Sequence, residues 1–253
     1  MKKLLRTILR GIGLYAFAID LENKLITLFK KSERKDFYGQ FIKSGDLCFD
    51  VGANKGNRTV IFLELGAKVV AVEPQKECYE FLTKRFGDKI ELVKYGLGEK
   101  ESTETMYVSG STLISSFSKD HVTMMQEDRF KGASWGKTIE IKMTTLDVLI
   151  EKYGTPAFCK IDVENYEVEV LKGLSHAIPA LSVEYFPATI ERAIECVELL
   201  EALGKYTYNW SFGESQKLNT KQWLTEEEIK KVLSAVKKED SYGDFYARLL
   251  KNN

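Results

Sequence analysis

Histidine and cysteine are scarce in this 253-residue chain, with two and four copies. The cysteines are widely spaced, and none forms the close pair that a zinc site or a redox motif requires. We therefore predict neither a disulfide framework nor a metal site. The four cysteines are interpreted as buried thiols in a reducing, cytoplasmic compartment: Cys48, Cys78, Cys159 and Cys196.

The chain also lacks a net charge, because 37 basic residues balance 37 acidic ones. No global electrostatic field attracts it to nucleic acid, so we predict no nucleic-acid partner. With 44% hydrophobic and 29% charged residues, the composition is that of a globular protein with one substantial core.

From Asp46 onward, short apolar runs alternate with amphipathic stretches, a pattern typical of parallel sheets with crossover helices. It predicts a Rossmann-like, doubly wound α/β fold with a mostly parallel, seven-stranded sheet over residues 46–253, preceded by a helical extension at residues 1–45. The predicted strands cover residues 47–51, 68–72, 90–94, 138–143, 157–161, 180–184, 206–210 and 244–249. The predicted helices cover residues 56–65, 75–86, 146–153, 166–174 and 187–203, and a capping box of Thr225 and Glu228 begins a further helix.

A polar stretch at residues 109–137 interrupts this alternation. Its serine, threonine and glycine clusters are typical of loops. Loops of this length inside compact domains are usually functional lids or disordered segments. We predict a lid insertion over the functional site.

The strongest motif, Asp50-Val51-Gly52-Ala53-Asn54-Lys55-Gly56, follows the first predicted strand, at the edge where open α/β sheets bind ligands. Gly52 permits a tight turn. Gly56 permits close packing of the next helix, whose N-terminal amides can receive an anionic group. A dinucleotide fingerprint needs glycine at Asn54 and Asn57 and does not favour an acid facing a pyrophosphate.

Asp50 instead favours S-adenosylmethionine, whose amine and sulfonium are cationic. Glu73 ends the second strand 23 residues later. This matches the spacing of about 20 at which an acid accepts hydrogen bonds from ribose hydroxyls. The adenine is expected near the turn that follows the third strand. The predicted cofactor-binding residues are Asp50, Gly52, Ala53, Asn54, Gly56, Glu73, Pro74, Gly96, Leu97 and Asp162.

A second motif, Lys160-Ile161-Asp162-Val163-Glu164-Asn165-Tyr166-Glu167, follows the strand at 157–161. It resembles the Lys-Ile-Asp-Val-Glu-Gly-x-Glu motif of FkbM-type methyltransferases, and Val170-Leu171-Lys172-Gly173 matches the helix end of that family. The resemblance covers roughly residues 46–187. It implies a class I methyltransferase fold, S-adenosylmethionine as cofactor, and an antiparallel final strand. Two departures are Asn165 in place of glycine and Tyr185-Phe186 in place of a Phe-His pair.

Methyl transfer requires an aligned acceptor and the removal of one proton. The predicted catalytic residues are Asp162, which contacts the cofactor or the acceptor hydroxyl, and Glu164, which holds acceptor hydroxyls or acts as the base. His121, in the predicted lid, is a third candidate. Glu167 either joins this site or only complements the helix dipole.

The resemblance implies O-methylation of a small-molecule, sugar or glycan acceptor, with a cell-surface glycan or glycolipid intermediate as the first hypothesis. A non-catalytic module that binds S-adenosylmethionine or serves as a scaffold is one alternative. An NAD-dependent oxidoreductase is a weaker alternative, because Asp50 and Asn54 disfavour a dinucleotide.

The N-terminus has the basic start and the short apolar run of a signal peptide. Export would separate an enzyme from its cofactor, so we favour an amphipathic helix that packs on protein or on the inner face of the membrane. The basic residues of this helix are Lys2, Lys3, Arg6 and Arg10. The apolar stretch is far shorter than the roughly 20 residues that span a bilayer.

Overall fold

The computed structural model describes residues 32–108, 117, 137–213 and 215–250. The predicted N-terminal helix, nearly all of the predicted lid and His121 lie outside the described residues. Within the described ranges, no helix combines the length and the apolar character needed to cross a membrane.

A seven-stranded sheet forms the centre of the fold, as predicted, with strand order β3-β2-β1-β7-β8-β10-β9. Five neighbouring strands are parallel, and the last strand, β10, runs antiparallel to both of its neighbours. The strands are β1 Leu47–Val51, β2 Lys68–Val72, β3 Ile90–Val93, β7 Phe158–Ile161, β8 Ala180–Tyr185, β9 Tyr206–Phe212 and β10 Gly243–Leu249.

Helices cover both faces of this sheet, so its central strands are apolar on both sides. Along β1, Phe49 and Val51 enter one core, whereas Cys48 enters the other. The helices are α1 at residues 32–38, α2 Thr59–Glu64, α3 Lys76–Phe86, α4 Leu146–Tyr153, α5 Glu167–Lys172, α6 Ile190–Leu203 and α7 Glu226–Ser234. All four cysteines are free and buried, as predicted.

A second, three-stranded sheet was not predicted. Its strands β4 Gly96–Leu97, β5 Ser102–Val108 and β6 Lys137–Thr144 have the order β4-β6-β5. Residues 138–143 were predicted as a strand, but they pair with β5 in this small sheet rather than in the main one. Alternation of side chains predicts a strand without naming its partner, which is why the sequence did not separate the two sheets.

The second helix begins later than the sequence pattern suggests, at Thr59 rather than at Gly56. Asn54 and Gly56 have positive φ values of 48° and 75°. Such left-handed residues cannot belong to a right-handed helix, so residues 54–58 form a turn.

The chain before β1 packs on the core that contains Cys48. Phe37, Tyr38 and Ile42 are buried there. The Tyr38 ring contacts Phe62 and Phe158 edge-on, at centroid distances of 5.2 and 5.8 Å. Residues 37–42 therefore contribute apolar side chains to the domain core.

The predicted capping box is present at the start of α7. The Thr225 side chain accepts from the Glu228 backbone N–H, and the Glu228 carboxylate accepts from the Thr225 N–H at 2.8 Å. The helix then buries Ile229 and Leu233 in the core.

We expect Thr225→Ala to lower the free energy of unfolding by about 1 kcal/mol, because one helix N–H loses its acceptor. Urea denaturation measures this change. Thr225→Ser keeps the hydroxyl and should unfold close to wild type, and equal losses in both variants would contradict a capping role.

Candidate active site

The site lies at the carboxyl edge of the main sheet, between β1 and β7. The chain runs outward from β1 to β3 and then returns to β7 on the other side of β1, which makes this a topological switch point. Open α/β sheets bind ligands in the crevice at such a point. The Asp162 N–H donates to the Val51 carbonyl at 3.1 Å, which joins the two strand ends.

Gly52 makes the approach of these two ends possible. Its φ is 80°, and a Cβ built on it would lie 1.8 Å from the Asp162 carbonyl oxygen. At Gly56, a Cβ would lie 2.4 Å from the Phe86 ring and 2.9 Å from Leu82, so this glycine admits α3. The tight turn predicted at Gly52 agrees with this geometry, whereas the helix that approaches Gly56 closely is α3 rather than the next helix along the chain.

Backbone N–H groups of the glycine loop, residues 52–56, donate hydrogen bonds to acceptors within the protein. The N–H groups of Gly52 and Ala53 both donate to the Val72 carbonyl at 3.0 Å, and the Gly56 N–H donates to Ala53. The Asn54 N–H donates to the Glu73 carboxylate at 2.8 Å. The turn thus closes on its own donors, and the N–H groups of Gly52, Ala53, Asn54 and Gly56 all have acceptors within the protein.

Glu73 ends β2 beside this loop and is only 3% exposed. One carboxylate oxygen accepts from Asn54 and the other accepts from the Gln75 N–H at 2.8 Å, across Pro74. Burial raises the pKa of Glu73 to about 7, and the two N–H bonds oppose that rise. Each oxygen keeps a lone pair with which it can accept a ribose hydroxyl.

Asp50 lies beneath the loop rather than on its surface, with 1% of its area exposed. Its carboxylate accepts from the Thr59 hydroxyl at 2.5 Å. Burial raises the pKa of Asp50, and the charge of Lys160 together with the Thr59 bond acts against this rise. Asp50 thus has internal partners, which the sequence motif alone did not show.

Arg58 connects the loop to the N-terminal part of the fold. Its Nε donates to the Tyr38 hydroxyl at 3.0 Å, and both side chains are buried. The turn that carries Asn54 and Gly56 is therefore anchored to α1.

Gly96 and Leu97 form β4, at the junction with the small sheet. A Cβ on Gly96 would lie 2.5 Å from the Met143 sulfur, and Leu97 is 3% exposed within the core. The Leu97 side chain is therefore buried in the core. An adenine bound here would contact the backbone of Gly96 and Leu97 rather than the Leu97 side chain.

Three carboxylates lie close together at the carboxyl edge of the main sheet, hereafter called the reactive edge: Asp162, Glu164 and Glu184. Each offers an oxygen within 4.8 Å of the other two. Ile161 and Val183 are paired in neighbouring parallel strands, so Asp162 and Glu184 leave the sheet side by side. The Lys160 ammonium contacts Asp162 from below and is 2% exposed.

Lys160 makes the pKa of Asp162 differ from the pKa values of the two glutamates. Burial acts to raise the pKa of Asp162, but the Lys160 ammonium lowers it below the ordinary value. Burial and the Asp162 charge raise the pKa of Glu164 and of Glu184 well above that of an ordinary glutamate. Asp162 therefore ionises most readily of the three, and the two glutamates hold protons more tightly.

The loop after β7 has a strained backbone. Glu164 and Asn165 both have positive φ values, 57° and 69°. The side chain of Asn165, the position where glycine is usual in the resembling family, accepts from the Thr189 hydroxyl at 2.7 Å. Glu167 is buried and accepts from the Val163 N–H at 3.0 Å. Glu167 thus holds the Glu164 loop in place rather than only facing solvent at a helix start.

Sequence reasoning missed two members of this cluster, Lys160 and Glu184. Lysine inside the buried run Phe158-Cys159-Lys160-Ile161 was a usable signal, because a buried ammonium needs a counter-ion. Glu184 ends the strand next to β7, and the rule that adjacent parallel strands end at one edge would have placed it there.

The three carboxylates are also the one group among the described residues with the spacing to hold a metal ion. Spacing along the chain does not predict this group, because Glu184 lies in β8, whereas Asp162 and Glu164 follow β7. The Lys160 ammonium already supplies a cation beside Asp162. His176 is not part of this site: it is exposed and lies 3.1 Å from Asp147.

The residues at this edge fit S-adenosylmethionine. No group among the described residues donates a hydrogen bond to the buried Glu184 Oε2 atom, which leaves an acceptor for a ligand hydroxyl beside the cofactor. The carboxylate cluster complements a sulfonium and an amine electrostatically, and Glu73 has lone pairs for ribose hydroxyls.

Comparison with known proteins gives a family match. The family model for the methyltransferase FkbM domain matches residues 50–231, more than half of the 253-residue chain. No curated protein sequence matches significantly.

Among solved structures, the fold is similar to an rRNA methylase from Streptococcus thermophilus, with 13% identity, 86% of this chain and 94% of the other covered, and a TM-score of 0.43. A precorrin-6y C5,15-methyltransferase from Geobacter metallireducens has 9% identity, coverage of 85% and 87%, and a TM-score of 0.43. A TehB-like, SAM-dependent methyltransferase from Corynebacterium glutamicum has 9% identity, coverage of 93% and 99%, and a TM-score of 0.43.

The FkbM-type motif at 160–167 lies beside the glycine loop at the switch point, and the family model spans both. The chain therefore belongs to the FkbM methyltransferase family and is an S-adenosylmethionine-dependent methyltransferase.

Proposed function

We propose that this enzyme transfers the methyl group to a hydroxyl of a sugar, glycan or glycolipid intermediate. The observation that carries the proposal is the carboxylate cluster of Asp162, Glu164 and Glu184 at the reactive edge. Carboxylates accept hydrogen bonds from hydroxyl donors, and two neighbouring carboxylates can hold a vicinal diol. Family membership disfavours both the NAD-dependent alternative and the non-catalytic module.

The protein has two tasks in this reaction. It must align the acceptor oxygen with the methyl carbon, and it must accept the hydroxyl proton. The bound cofactor supplies an electrophilic methyl group on a sulfonium. Asp162, held ionised by Lys160, is placed to orient the acceptor or the cationic end of the cofactor. Glu164, on the loop tied by Glu167, is placed to hold a further acceptor hydroxyl.

The acceptor class can be tested with tritiated S-adenosylmethionine and a panel of methyl glycosides of common hexoses. We expect label in the glycosides that resists alkali, because methyl ethers survive conditions that hydrolyse methyl esters. Glu164→Gln should lower the rate by about 10-fold or more, since it replaces a carboxyl oxygen that can accept from a hydroxyl with an amide nitrogen that cannot. Alkali-labile label would contradict O-methylation of a hydroxyl.

Cofactor binding can be tested separately by calorimetric titration with S-adenosylhomocysteine. We expect micromolar binding that is lost in Glu73→Ala and in Asp50→Ala, because the first removes the acceptor of the Asn54 N–H and the second removes the acceptor of the Thr59 hydroxyl. Glu77→Gln, an exposed change at the start of α3, is the matched control and should bind normally.

NADH should give no heat of binding in any of these proteins. Intact binding of S-adenosylhomocysteine without methyl transfer to any acceptor would favour the non-catalytic module. Unaltered binding in both Glu73→Ala and Asp50→Ala would contradict the predicted cofactor site.

The basic N-terminal segment, which lies outside the described residues, extends the proposal to a lipid-linked acceptor. Four cations within its first ten residues favour an anionic membrane surface. The intact protein should cosediment with vesicles that contain phosphatidylglycerol, and deletion of residues 1–20 should abolish this. Equal cosedimentation of both forms would rule out the segment as the membrane contact.

A further inference from the structure

The acidic cluster contains one carboxylate oxygen that the fold leaves without a partner. The Oε2 atom of Glu184 is buried, and no group in the described part of the chain donates a hydrogen bond to it. An unpaired buried acceptor costs about 1–3 kcal/mol, so a site that keeps one is expected to satisfy it with a ligand or a proton. One of the Glu184 carboxylate oxygens lies within 4.8 Å of an oxygen of Asp162 and of an oxygen of Glu164.

The position of Glu184 connects this oxygen to the reaction. β8 is the neighbour of β7 in the sheet, and both strands end at the switch-point edge. A hydroxyl that donates to Glu184 would therefore sit beside Asp162, where the methyl acceptor is expected.

We propose that Glu184 is the catalytic base that receives the proton of the acceptor hydroxyl, and that Asp162 is kept ionised by Lys160 so that it positions the acceptor. This inference rests on the proposed O-methylation. In the step, the acceptor O–H bond breaks and its proton passes to a Glu184 oxygen. The acceptor oxygen forms a bond to the methyl carbon, the carbon–sulfur bond breaks, and its electron pair stays on sulfur. Glu184 then returns the proton to solvent.

The charges around Glu184 support this division of roles. From β7 and its loop, Asp162 and Glu164 face it as anions, and Lys160 faces it as a cation. From β10, Asp244 is its direct partner in the register. Burial and the Asp162 and Glu164 charges raise the pKa of Glu184 well above the ordinary value. A carboxylate with a raised pKa is a stronger base than an ordinary one, which suits proton removal near neutral pH.

Asp162 cannot fill this role as well. Its contact with Lys160 lowers its pKa, which makes its carboxylate a weaker base. Arg58 acts on Asp162 in the same direction. The carboxyl groups of Asp162 and Glu184 lie close enough to hydrogen-bond, and such a bond needs a proton on one of them. Because Lys160 pairs with Asp162, a proton that this carboxyl pair takes up is held on Glu184, and Glu184 must be ionised before it can accept the proton of the methyl acceptor.

The location of the proton can be measured without an acceptor. Protein labelled with carbon-13 at the glutamate carboxyl is saturated with S-adenosylhomocysteine and titrated by NMR. We expect Glu184→Gln to remove one carboxyl signal that titrates well above the range of ordinary glutamates. If the signal that disappears titrates as an ordinary glutamate, the proposal is overturned.

The catalytic role is measured with the most active methyl glycoside of the panel. In wild type, kcat/KM should rise with pH through the pKa of Glu184, because only the ionised carboxylate accepts a proton. Glu184→Gln should lower kcat by about 100-fold or more and remove this rise, while its affinity for S-adenosylhomocysteine stays close to wild type. An unchanged pH profile in Glu184→Gln would overturn the proposal.

Ser182→Ala is the matched control. Ser182 lies two residues away on the same face of β8, is fully buried, and has a hydroxyl without a partner among the described residues. Removal of the Ser182 hydroxyl changes the packing of β8 but leaves all three carboxylates present, so we expect wild-type kcat and KM. A loss equal to that of Glu184→Gln would assign the effect to strand packing and overturn the base role.

Two further outcomes distinguish a base role of Glu184 from metal binding by the three carboxylates and from failure of the proposed acceptor class. A strict requirement for added Mg²⁺ that EDTA removes would show that the three carboxylates bind a cation, and it would overturn the role of Glu184 as a free base. If no glycoside is methylated but the NMR titration assigns the high-titrating carboxyl to Glu184, the acceptor class fails and the placement of the proton is supported.

Discussion

The buried ammonium of Lys160 is the constraint on which the reactive edge depends. A charge with 2% exposure must be paired, because removing an ion from water costs several kcal/mol that only close counter-ions offset. Asp162 contacts it directly, and Asp50 lies opposite Lys160 in the register between β1 and β7. Lys160 therefore lies between Asp50, which precedes the glycine loop, and Asp162, which begins the loop after β7.

The same lysine determines how charge is shared among the acids. Without it, Asp162, Glu164 and Glu184 would compete equally for protons, because three carboxylates within 4.8 Å repel one another. With it, the pKa of Asp162 is lowered, and the pKa values of the two glutamates stay well above the ordinary value. Environments that separate the pKa values of neighbouring acids are the usual means by which enzymes assign acid and base roles.

Backbone geometry then fixes where these groups lie. Gly52 lets β1 and β7 end in contact, and the left-handed residues Glu164 and Asn165 turn the chain back toward the sheet. Strain of this kind persists only when the surroundings hold it, and here Thr189 and Glu167 supply the hydrogen bonds. The site is thus largely preformed on strand ends, where positions are more rigid than on free loops.

The sequence by itself determined the strand and helix pattern, the switch-point motif at Asp50 to Gly56, the acid at Glu73 and the catalytic loop around Asp162. These features are local, because side-chain alternation, a glycine turn and a short motif each depend on only a few neighbouring residues. The predicted cap at Thr225 is of the same kind, and the structure contains it.

Only the tertiary structure decided which of these residues meet. It added Glu184 to Asp162 and Glu164, placed Asp50 beneath the loop against Thr59, and used the loop amides internally through Val72 and Glu73. It also put β6 in a separate small sheet. The physical reason is that periodicity records which face of an element is buried, whereas partners come from contacts between distant segments, and one sequence does not encode those contacts in any local pattern.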